Sequence, residues 1–351
     1  PKDRIGIEIA HSDNTKFAAQ FSFPEAQMWD VNAEDGNTYV ELALPGVDID
    51  SGSAGQPGVP VVRRILAIPR GAQVRIADFE PSINRELDLL LYPVQPEPVD
   101  AMAHQSQPPF DDLPGDEQPA KELFMDGPFT IDKEAYASDK NYPEQVVEVE
   151  HLGRMRDLDL VQVSVAAAQY NPAKGRLVLF ENVSFQVVFE GGKDFFLPER
   201  VTNPFEQSAI PIYALALNFE VIEKFIDPNV YIWPGFCIGE EYLIITDPDF
   251  RTAADQLKDW KVAKGISTRV VETGSGSSQA GESKEEIKAY IQNRYDTCLI
   301  RPSYVLLLGD AEHINPFYRD SMGTDLDYAL MNDDDILPDL AIGRMPVDTL
   351  E

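Results

Sequence analysis

Tyr242-Leu243-Ile244-Ile245-Thr246, followed at once by Asp247-Pro248, is the stretch on which the fold of this chain turns. A continuous apolar run of this length suits a strand buried on both faces. Asp247 is a good helix cap and Pro248 suits a first helical position. Phe250, Ala254, Leu257 and Trp260 then recur at helical spacing as far as Gly265, a natural terminator. Further on, Thr268-Arg269-Val270-Val271 reads as a second strand and residues 274–281 as a Gly/Ser loop. Ser283-Lys284-Glu285-Glu286 is a capping box opening a helix through Ile287, Tyr290 and Ile291. Tyr304-Val305-Leu306-Leu307-Leu308 is the third strand, ending in Gly309-Asp310, and 338–344 resembles one more. Strand and helix in alternation predict a parallel sheet with right-handed crossovers, incomplete at Glu351.

Toward the N-terminus the grammar changes. Thr38 to Leu44, Val61 to Ile68, Gln145 to Val149, Leu158 to Val165, Arg176 to Phe180 and Val183 to Phe189 are short β-like runs separated by turn residues. Their spacing predicts an all-β antiparallel sandwich or barrel. Residues 93–120, rich in proline and acid, read as an extended connection. The expected organisation is an all-β domain over 1–225, a linker over 226–239, and an incomplete α/β domain over 240–351.

Lys and Arg number 29 against 60 Asp and Glu, a formal net charge of −31. Nucleic acids and anionic membranes, themselves polyanions, are poor partners for such a surface. No apolar run is long enough to span a bilayer. The start at Pro1 reads as a processed or trimmed product. Cys237 and Cys298 have no metal-site spacing; they read as two buried thiols, with a single disulfide as the alternative.

Candidate chemistry clusters where parallel strands end, because ligands usually bind there in such folds. Asp310, Glu312 and His313 could form an acid/base or metal group, or Asp310 could simply cap the turn that follows. Asp325, Asp327, Asp333 and Asp335, ahead of Asp339, offer hard oxygen ligands suited to calcium; the alternative is a solvated acidic face. Cys298 is not read as a nucleophile: it leads into a strand from the opposite edge, with no base nearby.

Residues 241–346 resemble the start of the catalytic domain of gingipain-like cysteine peptidases, the C25 family, relatives of caspases. The resemblance is carried by Tyr242 to Thr246, Leu257-Lys258-Asp259-Trp260-Lys261, Lys264-Gly265, Tyr304 to Asp310, Thr324-Asp325, Tyr328 and Ile342-Gly343-Arg344. The front domain is similar to the propeptide of that family at Tyr39 to Gly46, Gly55-Gln56-Pro57-Gly58-Val59-Pro60, Ile68 to Ala72 and Gln169-Tyr170-Asn171-Pro172. The resemblance implies a secreted or cell-surface cysteine endopeptidase zymogen, with a caspase-like domain and a pro-domain that chaperones and inhibits it. Its partners would be protein or peptide substrates and the remainder of the peptidase. No cofactor would be required; a structural calcium rests on the acidic cluster alone, beside its reading as a solvated face. The family's Cys–His dyad matches nothing here, since no His-Gly pair occurs, so no catalytic residue is assigned. An inhibitory pro-domain contact is expected from Lys133 or Lys140, with Arg154 and Arg156 next in line. The rival expectation is a non-catalytic scaffold for cell-surface attachment or binding.

Overall fold

The computed structural model describes residues 4–47, 49–50, 53–96, 99–100, 124–125, 128–198, 214–222, 224, 226–227, 237–319, 321–332 and 335–349. In the first unit, β1 (Gly6–Ser12), β2 (Lys16–Ser22), β3 (Gln27–Asn32), β4 (Thr38–Ala43), β5 (Ile49–Asp50), β6 (Val59–Ile68) and β7 (Gln73–Asp88) come first. After these come β8 (Val147–Met155), β9 (Leu158–Ala166), β10 (Ala168–Asn171) and β11 (Arg176–Glu190). One antiparallel sheet runs β1-β2-β11-β10 with β7 also paired to β11, and a second runs β8-β9-β6-β5. Phe17, Phe21 and Phe185 of the first sheet share a core with Val62, Leu66 and Val163 of the second. Phe17, Ala19 and Phe21 are buried while their neighbours in β2 are half-exposed, the period of a strand with one face on the core.

The two runs expected at 176–180 and 183–189 are one strand. Its pairing with β7 shifts register between Phe180 and Asn182, so the polar Glu181-Asn182 step is absorbed as a bulge and does not divide the strand in two.

The second unit holds β12 (Cys237–Gly239), β13 (Tyr242–Thr246), α2 (Arg251–Ala263), β14 (Thr268–Glu272), α3 (Lys284–Thr297), β15 (Cys298–Ile300), β16 (Tyr304–Leu308) and β17 (Ala341–Met345); α1 (Lys133–Ala137) belongs to the first. The sheet order is β14-β13-β16-β17, every pairing parallel. Leu243, Ile245, Val305 and Leu307 pack on Ile287 and Ile291 of α3. Ile244, Leu306 and Leu308 pack on Phe250 and Ala254 at the other face. Coverage of both faces is why the central strands show no alternation. Ser283 caps α3 as a complete capping box. Trp260 departs from the expected apolar stripe: it is 52% exposed, with the Lys264 ammonium 3.8 Å from its ring centroid.

The reading of Cys237 and Cys298 as buried thiols is corrected. β12 pairs in parallel with β15, placing Cys237 directly opposite Cys298, and the two form a disulfide with Cα atoms 4.6 Å apart. Most of the proline-rich connection and of the expected linker lies outside the described residues.

Candidate functional site

At the C-terminal edge of the parallel sheet, β16 runs out into Gly309-Asp310. Asp310 Oδ1 accepts from the backbone N–H of Glu312 at 2.9 Å and of His313 at 3.4 Å, closing the turn. Asp310, His313 and Asp348 bring one ligand atom each within 4.8 Å of one another. His313 Nδ1 lies 3.3 Å from Asp247 Oδ2, and its ring meets Phe250 edge-on at 4.9 Å. Desolvation works against the imidazolium, but the Asp247 hydrogen bond and the charges of Asp247 and Asp310 outweigh it and raise the His313 pKa. The loop is shaped from behind by Arg344, which donates to the carbonyls of Gly309 (3.0 Å), Asp310 (3.0 Å) and Ile314 (2.8 Å) and forks onto Asp325 at 2.7 and 2.8 Å. Arg344 is thus the structural centre of the edge.

A second site lies at the seam between the two units. The hairpin β8–β9 turns at Arg156-Asp157, with Arg156 at φ 55°, a backbone region costly for a side chain with a Cβ. The tip enters the α/β unit. Arg156 N donates to Asp339 Oδ1, and its Nη1 donates to the carbonyls of Asp339 at 2.9 Å and Pro302 at 3.4 Å. Asn332 Nδ2 donates to the Arg156 carbonyl at 3.2 Å. Arg301 Nη2 reaches both Asp157 oxygens at 3.2 Å, and Arg301 and Arg156 stand 4.5 and 5.6 Å from the Tyr295 ring centroid. Arg156, Asp157, Arg301 and Asp339 are all buried. Asp339 also accepts from the N–H groups of Met331 (2.7 Å) and Asn332 (2.9 Å); burial nonetheless pushes its carboxyl upward. Three residues before Arg156, Gly153 sits at φ 123°, and a Cβ there would collide with the Asp335 carboxylate, which accepts from Arg154 N at 2.7 Å.

The residues expected for calcium therefore serve different partners. Asp325 is held by Arg344, Asp327 by Arg319 at 2.9 Å, and Asp335 by the pro-domain-like hairpin and by Leu337 N. Asp333 lies outside the described residues. Lys133 opens α1 and is exposed; Lys140 is exposed and 3.6 Å from Glu144. Arg154 pairs with Asp159 within its own unit. Sequence reasoning missed Asp157, Tyr295, Arg301 and Asp339 as partners. The available signal was Arg-Asp at a two-residue hairpin tip, where Gly or Asn would be ordinary.

Comparison with known proteins matches residues 7–224 to the C25 propeptide model and residues 239–351 to the peptidase family C25 model. Lys-gingipain of Porphyromonas gingivalis is 27% identical over 348 residues, covering 96% of this chain and 18% of the relative. Gingipain R1 of the same organism is 20% identical over 98% of this chain and 31% of the relative. The chain thus spans less than a third of the length of these relatives. Among solved structures, one on zymogenic latency of gingipain K from Porphyromonas gingivalis covers 53% of this chain and 92% of its own, at TM-score 0.38 and 25% identity. The complex of Porphyromonas gingivalis RgpB pro- and mature domains covers 61% and 96%, at TM-score 0.43 and 17% identity.

Proposed function

Because the chain belongs to the C25 peptidase family, as a C25 propeptide followed by the opening stretch of the peptidase domain, we propose that it is the front portion of a secreted cysteine endopeptidase zymogen whose first unit restrains the second. The observation that best supports restraint is the seam. A hairpin of the propeptide region is locked into the peptidase region by buried charged groups, as a pro-segment that holds its enzyme requires. In this reading the substrates are proteins or peptides, attacked by a thiolate activated by a histidine. Neither cysteine here can serve, since both are oxidised to one disulfide.

The test is a peptidase assay on three species: the 351-residue chain, the longer precursor, and the precursor after processing. The chain is expected to be silent, the processed protein active, and the unprocessed precursor slow. Lys133→Ala and Lys140→Ala in the precursor test the inhibitory contact expected from one of these lysines. Losing a desolvated charge pair there weakens restraint about thirtyfold or more. Cleavage by the 351-residue chain that disappears in Cys298→Ala would overturn the reading. A processed precursor inert toward every peptide offered would favour the scaffold role instead.

A further inference from the structure

The buried seam raises a question the zymogen reading leaves open: where the pro-segment grips. Pro302 immediately precedes Ser303 and β16, and Asp339 lies just ahead of β17. Both therefore sit at the N-terminal edge of the parallel sheet. The edge that gathers Asp247, Asp310 and His313 is one strand length away, about 16 Å for five residues. Ligands in such sheets bind at the C-terminal edge.

We propose that the Arg156-Asp157 turn is the anchor of the pro-segment, and that Tyr295, Arg301, Pro302, Asn332 and Asp339 form a socket that recognises an arginine–aspartate turn away from the catalytic edge. This rests on the zymogen reading for its biological meaning, but the contact is a property of the chain itself.

Three features make the socket selective. Each charge of the turn meets a complementary group: the guanidinium lies against the Asp339 and Pro302 carbonyl oxygens and near the Tyr295 ring, and the Asp157 carboxylate pairs with Arg301. The order matters, because an acid followed by an arginine would set a carboxylate against carbonyl oxygens that can donate nothing to it and a guanidinium against Arg301. The backbone is read too, through Arg156 N on Asp339 Oδ1 and Asn332 Nδ2 on the Arg156 carbonyl, two groups at the tip that lie beyond the last paired residues of the hairpin, Met155 and Leu158. Arg156 keeps a left-handed backbone at a position that suits glycine better, so the strain is offset by what its side chain binds. Arg70 supports the turn from its own unit, 3.6 Å from Asp157.

The chain allows a direct test, because both cysteines lie on the peptidase side and no disulfide joins the units. A site for a specific protease is inserted between residues 227 and 237 of the full chain, the chain is cut, and the dissociation constant of the two held-together pieces is measured. Arg156→Gly removes the guanidinium and relieves the backbone strain, so the hairpin keeps its shape. It is expected to weaken association about thirtyfold or more. Asp157→Asn is expected to weaken it as well. A cyclised peptide containing Gly153-Arg154-Met155-Arg156-Asp157-Leu158 is expected to separate the wild-type pieces, and the same peptide with Arg156 and Asp157 exchanged to leave them together. Unchanged association in Arg156→Gly, or equal competition by both peptides, would overturn the proposal. None of these measurements reads peptidase activity, so the anchor can fail while the zymogen reading stands, and the reverse.

Discussion

Arg344 shows how one side chain can decide an edge. Its guanidinium forks onto Asp325 and holds three carbonyls of the 309–314 turn. A planar fork suits that task and an ammonium does not. Arg344→Ala leaves the Asp325 carboxylate without its cation and takes the guanidinium from three carbonyls, of which that of Asp310 keeps the Ile314 N–H at 2.9 Å. The expected cost is about 3–5 kcal/mol of stability, with Arg344→Lys recovering only part. Urea unfolding followed by far-ultraviolet circular dichroism would measure it; a loss within about 0.5 kcal/mol, the ordinary range for a surface change, would remove Arg344 from this role.

Among elements, the short parallel pair β12–β15 carries the clearest consequence. The disulfide fastens the first segment of the peptidase region to the strand that follows α3, closing a loop between residues separated by 61 positions. Cross-linking a loop of that size stabilises by roughly 4 kcal/mol in the chain-entropy account. Replacing both cysteines by serine is therefore expected to lower the melting of the α/β unit while leaving the β unit unchanged. Proteolysis should then open first near residue 237. Equal melting of the two forms would show that the pair of strands holds without its cross-link.

At the scale of the whole molecule, the net charge of −31 sets the solution behaviour. Repulsion among solvated acids opposes the compact state and is screened over about 10 Å at 0.1 M salt. Raising sodium chloride from about 0.01 to 0.15 M is expected to raise the melting temperature, whereas the buried seam charges respond little. Calcium and magnesium at equal ionic strength should act alike, since Asp325, Asp327 and Asp335 already have other partners. A rise with calcium alone would point to a cation site, either at Asp310, His313 and Asp348 or in the acidic cluster that includes Asp333.

The sequence alone determined what depends on local pattern. Buried parallel strands read as apolar runs, the capping box announced α3, and the order of motifs pointed to the family that the comparisons then matched. These signals are local because side-chain periodicity and capping act over one or two turns of chain. Only the tertiary structure decided the rest. Cys237 and Cys298 are joined because two short strands align, and Glu181-Asn182 is a bulge because β7 runs alongside. Asp335 reads as part of a solvated or calcium-binding cluster, and Asp339 as part of a strand, until the hairpin at Arg156-Asp157 is brought against them. A charge's partner is fixed by proximity across some 180 residues, and no local pattern carries that information.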